Sequence, residues 1–205
     1  MKENSDFRLW RRFKKGDKSA ISLVYHQYAD LLFSYGKRLT LDDSLVLDTI
    51  QDLFIYLIQN KTKLGDTDNV KAYIQKAFRR RLVDELKKKS KTISLDSNER
   101  IEPDLTFPIE DDLINEEALT TKQRELKKAL EQLSSQQREI LHYRFNGGFD
   151  YAQISEIMSI SVEAARQNVS RAIKLLRKKL DLKSLMTLLF IGSHLLLDLP
   201  CLPKS

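Results

Sequence analysis

The chain has 205 residues, 41% of them apolar and 31% charged, enough for one or two modest folded domains and too apolar for a disordered chain. Lys and Arg number 35 against 29 Asp and Glu, a net charge of +6 that suits an anionic partner. Cys201 is the single cysteine, which excludes an internal disulfide framework and fits a reducing cytoplasm. With His26, His142 and His194 far apart in sequence, no nucleophile, general-base or metal-ligand pattern is spelled out, so the chain reads as a non-enzyme that needs no cofactor.

The N-terminal MKENSDFRLW lacks the apolar stretch of a secretion signal. Up to about Lys91 the apolar spacing is helical, with helices expected over 6–15, 18–39, 43–59 and 70–89. Each is opened by an Asp or Asn, or closed by Gly16, Gly36 or the polar loop around Gly65. On the third helix Phe54 and Leu57 share the core face, whereas Gln51 and Asp52 lie toward the surface. On the fourth, Tyr73 and Phe78 stand at helical spacing with Val70, Ile74 and Ala77 and read as core. Between Lys76 and Lys91, Lys76, Arg79, Arg80, Arg81, Lys87, Lys88, Lys89 and Lys91 face only Asp84 and Glu85, a basic patch that would also suit a helix C-terminus.

Over 92–118 the composition changes. Pro103 and Pro108 break helices, and nine acidic residues from Asp96 to Glu117 stand against Arg100 alone, the make-up of an extended linker. A second helical domain is expected over 119–183. ALTTKQRELKKALEQL is one amphipathic helix, and SSQQREILHYRFNGGF another, capped by Ser134 with Gln137 and ended by Gly147 and Gly148. FDYAQISEIMSIS then reads as a short helix with Asp150 and Gln153 as its capping box, followed by the tight turn Ser159 to Ser161.

The next segment, SVEAARQNVSRAIKLLRKKL, gathers Val162, Ala165, Val169, Ala172, Ile173, Leu176 and Leu180 into one apolar arc, with Arg166, Gln167, Ser170, Arg171, Lys174, Arg177 and Lys178 opposite. Two short helices joined by about three residues, the second one basic, is the helix-turn-helix arrangement, in which the second helix enters the major groove. The tail over 184–205 contains the apolar run LMTLLFIGSHLLLDL. His194 and Asp198 interrupt it short of the roughly 20 residues a membrane span needs, so it is expected to pack on a domain or an antagonist.

These segments, in this order, resemble a sigma factor of the extracytoplasmic function group in the sigma-70 family, the promoter-specificity subunits of bacterial RNA polymerase. AISLVYHQYADLLFSYGKRL and VLDTIQDLFIYLIQN resemble region 2, with Asp48, Gln51, Asp52, Phe54 and Leu57 at signature positions. VKAYIQKAFRRRLVDELKKK resembles the helix that faces the minus 10 element, and the segment from Leu130 to Leu180 resembles region 4, which reads the minus 35 element. The wording SVEAARQNVSRA is especially like forms from the Bacteroidetes lineage.

The resemblance implies an all-α chain of two small helical domains: 1–91 as region 2, 92–118 as acidic linker, 119–183 as region 4, and 184–205 as a tail. It also implies that Asp48, Gln51 and Asp52 dock on the β′ clamp helices of the polymerase core. Asn69, Lys76, Arg79 and Arg80 would meet the minus 10 element of promoter DNA, and Arg166, Gln167, Asn168, Ser170, Arg171, Lys174, Arg177 and Lys178 the minus 35 element. An anti-sigma factor, often membrane-anchored in this group, is the expected antagonist. The chain departs from many members in having Arg80 in place of Asn, Ser155 in place of Ala and Ser159 in place of a turn Gly. The same helix-turn-helix would also serve a dimeric repressor or activator acting without polymerase, and the basic helices would serve an interaction protein that docks on an acidic partner or a membrane surface.

Overall fold

The computed structural model describes residues 5–93 and 128–178, and every regular element among them is helical. Four helices, α1 (Ser5–Lys14), α2 (Lys18–Gly36), α3 (Asp43–Gln59) and α4 (Val70–Ile93), build one unit. A second is built around α5 (Ser135–Leu141), α6 (Tyr151–Met158) and α7 (Val162–Arg177). Of the linker expected over 92–118, Thr92 and Ile93 instead end α4 and the rest lies outside the described residues, as does the apolar tail.

In the first unit α2, α3 and α4 each start where a short polar side chain can satisfy free backbone N–H groups. Asp17 accepts from Ser19 and Ala20 to open α2, Asp42 accepts from Leu45 to open α3, and Asn69 accepts from Ala72 at the start of α4. Arg12 beside Asp17 and Lys89 beside Asp42, at 2.8 and 2.6 Å, hold both carboxyls below the usual carboxylate range, as Lys14 does for Asp66. A depressed folded-state pKa favours the fold above the ordinary carboxylate range, and that contribution fades as pH falls through the depressed values.

The core of this unit is Trp10 and Phe13 from α1, Val24, Tyr28 and Leu32 from α2, Val46, Leu53 and Leu57 from α3, and Ile74, Phe78 and Leu82 from α4. Trp10 stacks on Phe13 with ring centres 5.1 Å apart and packs at a tilt on Tyr73. Its Nε1 donates to the Gly65 carbonyl at 3.0 Å, tying α1 to the loop before α4. Phe78 is fully buried and Tyr73 half-buried, in keeping with the core reading. Gly36, expected to end its helix, is the last residue of α2 and has a second role. A Cβ there would lie 2.4 Å from Cγ1 of Val46, so the missing side chain is what lets α2 and α3 approach.

In the second unit the helix expected to run from Ser134 into the glycines changes character partway. Ser134 and Gln137 form the capping box of α5, but the α-helix ends at Leu141 and His142–Asn146 is a π-turn. One wider turn shifts the following side chains, and Phe149 folds back on Tyr143 with ring centres 5.7 Å apart. A capping box of Asp150 and Gln153, both bonds at 2.8 Å, then opens α6.

The turn into α7 is held by backbone. Ser159 lies in the left-handed region at φ 55°, and Ile160 N–H donates to the Ser155 carbonyl at 3.1 Å, the six-to-one bond of a Schellman ending. Ser161 accepts from Ala164 to cap α7. The serine at φ 55° carries a Cβ where glycine would not, so Ser159→Gly should raise the stability of this unit by about 1 kcal/mol. A thermal melt checks this: an unchanged or lower midpoint would show that the Ser159 side chain compensates for its own strain.

Candidate nucleic-acid interface

Helix α7 has two distinct sides. Ala165, Val169, Ala172 and Leu176 are buried, while Glu163, Arg166, Gln167, Ser170, Arg171, Lys174, Arg177 and Lys178 are exposed. Val162, expected among the core residues, is 36% exposed because it is the first residue of the helix, and Ile173 is half-buried at the edge of the arc. Asn168 is half-buried too, on the flank of the exposed face. Gln167 bridges Glu163 at 3.4 Å and Arg171 at 3.5 Å, a ladder of side chains four residues apart. Arg166 instead leans over the ring of Tyr151 at the start of α6.

The short α6, a three-residue turn and a longer α7 with seven exposed basic or amide-and-hydroxyl side chains make a helix-turn-helix with a surface able to meet a polyanion. Arg166, Gln167, Ser170 and Arg171 lie on the exposed side of the first three turns of α7, and Lys174, Arg177 and Lys178 farther along.

In the first unit the residues expected to act divide between two helices. Asp48, Gln51 and Asp52 are all exposed on α3, while Phe54 and Leu57 are buried beneath them. Beside the polar three stand large exposed apolar side chains, Leu47 at 54% and Ile55 at 43%, with Tyr56 at 46%. Two rows at a spacing of four result, Leu47–Gln51–Ile55 and Asp48–Asp52–Tyr56. Such a mixed polar and apolar patch is suited to a protein partner rather than to a phosphate backbone. The apolar members escaped the sequence reading, although the four-residue spacing from Gln51 and Asp52 contains the signal.

On α4, Lys76 and Arg80 are exposed one turn apart and Arg79 is half-buried between them. The Arg81 guanidinium lies 4.4 Å from the centre of the Tyr56 ring. Burial pushes the Lys71 amine below its usual value. Asn69, expected to meet DNA, has its side-chain oxygen engaged in capping α4 at 3.1 Å, which leaves its N–H donors for any further contact.

Among the described residues there is no group of three or more His, Cys, Asp or Glu placed to hold a metal ion, and no helix is long and apolar enough to cross a membrane.

Comparison with known proteins bears on the same two units. Residues 24–92 match the sigma-70 region 2 family and residues 123–176 the sigma-70 region 4 family, together more than half of the chain. The ECF RNA polymerase sigma factor SigL of Mycobacterium tuberculosis is 23% identical over 160 residues, a stretch that covers 77% of this chain and 87% of SigL. Among solved structures, the sigma factor RpoE from Bartonella quintana, crystallised in complex with the anti-sigma factor NepR, matches at a TM-score of 0.54. The match covers 80% of this chain and 96% of the other, and at 22% identity it speaks for the fold.

Proposed function

With the chain belonging to the sigma-70 family, as an RNA polymerase sigma factor of the extracytoplasmic function group, we propose that its two helical units divide promoter recognition between them. Residues 1–91 act as region 2: Asp48, Gln51 and Asp52 dock on the β′ clamp helices of the polymerase core, with Leu47 and Ile55 as the apolar part of the same contact. Lys76, Arg79, Arg80 and Asn69 meet the minus 10 element as the strands open. Residues 119–183 act as region 4, with Arg166, Gln167, Asn168, Ser170 and Arg171 toward minus 35 bases and Lys174, Arg177 and Lys178 toward phosphates. The residues over 92–118 tether the two. The protein itself catalyses nothing and works in the cytoplasm, where an anti-sigma factor restrains it. The SVEAARQNVSRA wording supports a Bacteroidetes-type member.

The observation that carries this reading is the α7 face, which lines up base-reading and phosphate-binding side chain types behind a capped three-residue turn. A dimeric operator-binding protein would use the same helix. It would have no use for the exposed Leu47–Gln51–Ile55 row in a separate unit, which asks for a protein partner.

Replacing Gln51 and Asp52 together by Ala tests that row. Both side chains are exposed on a helix whose core contacts come from other residues, so the melting temperature should stay within the small range usual for surface changes. Capture of the chain by immobilised core polymerase should weaken clearly. Capture equal to that of the unaltered protein would remove these two residues from the docking surface.

A further inference from the structure

The ring of Tyr151 draws together three elements of the second unit. The guanidinium carbon of Arg144, in the π-turn, lies 5.1 Å from the ring centre, and that of Arg166, in α7, lies 5.7 Å from it. Arg144 also donates through Nη1 to the Phe149 carbonyl at 3.2 Å, which ties the π-turn to the strand of chain just ahead of Tyr151. Each guanidinium is within the range at which the negative face of an aromatic ring attracts a cation.

We infer that Tyr151 is a positioning residue for promoter reading: its ring holds the Arg166 guanidinium in place at the exposed face of α7 before DNA arrives. The inference rests on α7 being the reader of the minus 35 element. A free arginine must give up rotamer freedom to adopt one bidentate geometry on a base, and a side chain already resting on an aromatic face has given up part of it. Arg171 provides a contrast within the same helix. It is steadied by Gln167 at 3.5 Å and not by the ring, so Tyr151 should matter for one arginine and not for the other.

The test uses the full chain assembled with core polymerase and a set of promoters that differ by single bases in the minus 35 element. Arg166→Ala and Arg171→Ala first identify the base positions at which each flattens the preference. Tyr151→Leu should then reduce the preference at the Arg166 position by roughly two- to fivefold, the range expected when an exposed cation loses an aromatic face, and leave the Arg171 position unchanged. Tyr151→Phe, which keeps the face and loses the hydroxyl, should behave as the unaltered protein does, and Tyr151→Leu should add nothing in the Arg166→Ala background. Should the leucine variant fail to fold, Tyr151→Met makes the same comparison with an unbranched apolar side chain.

Equal weakening of every promoter by the leucine variant, or a phenylalanine variant as impaired as the leucine one, would overturn the positioning role while leaving α7 as the reader. An Arg166→Ala protein with the original ranking of promoters would overturn the assignment of that face and the role of Tyr151 with it.

Discussion

Arg166→Ala and Arg171→Ala should each cost about 1 to 3 kcal/mol of promoter binding where the arginine meets a guanine edge with both nitrogens, and each should relax preference at its own position in the minus 35 element. Both side chains are exposed on the first turns of α7, where a recognition helix approaches base edges. Lys178 ends the same face, at the C-terminal cap of the helix. Lys178→Ala should weaken all promoters alike and lower the salt dependence by about one unit of slope, because a phosphate contact releases a counterion whatever the sequence. Holoenzyme binding to single-base promoter variants at two salt concentrations separates these outcomes. If both arginine variants keep the original ranking and only lose affinity, the face touches backbone and does not read.

The second large effect is expected in the core of the first unit. Gly36→Ala places a methyl group 2.4 Å from Cγ1 and 3.0 Å from Cγ2 of Val46, a fully buried residue, and 3.3 Å from Cζ of Phe78. Adding a methyl group to a helix normally helps by up to about 1 kcal/mol relative to glycine. Here overpacking, typically about 1 to 3 kcal/mol, should outweigh that gain, because the obstruction is core side chain on the facing helix and not the end of a surface chain. A lower midpoint in denaturant for Gly36→Ala, with Gly65→Ala nearly neutral because nothing lies within 4 Å of its would-be Cβ, is the expected pair of results. Val46→Ala should partly rescue the first variant by making room. A Gly36→Ala protein as stable as the original would mean that α2 and α3 can separate slightly at little cost.

Much of this architecture is written in local signals. The caps Asp17, Ser134 with Gln137, Asp150 with Gln153, and Ser161 all lie within three residues of the N–H groups they satisfy, and α3 begins and ends where the periodicity places it. The exposed face of α7 is legible for the same reason, since a period of 3.6 sorts side chains whatever the tertiary context.

What could not be read depends on partners distant in sequence. Gly36 does end its helix, but its close approach to Val46 is invisible in the sequence, and the indole of Trp10 meets the Gly65 carbonyl 55 residues away. The π-turn after Leu141 goes with the return of Phe149 to Tyr143, and no periodicity announces one extra residue in a turn. Val162 and Asn69 show the opposite limit. Each fits its pattern, yet a place at the very start of a helix exposes the first and commits the oxygen of the second to capping. The spacing of Leu47 and Ile55 was readable, but apolar residues on a helix suggest core first, and only their exposure marks a surface suited to a partner.

The central claim, that these two units together direct a polymerase to promoters, is tested most directly by transcription in a purified system. Core RNA polymerase is incubated with promoter fragments carrying intact or altered minus 10 and minus 35 elements, with and without the full chain. The account predicts specific run-off transcripts only when the chain is present, in stoichiometric dependence on it, lost when either element is altered and reduced by the double replacement of Gln51 and Asp52. Tight and specific DNA binding by the chain alone, with no transcript and no association with core polymerase, would contradict it.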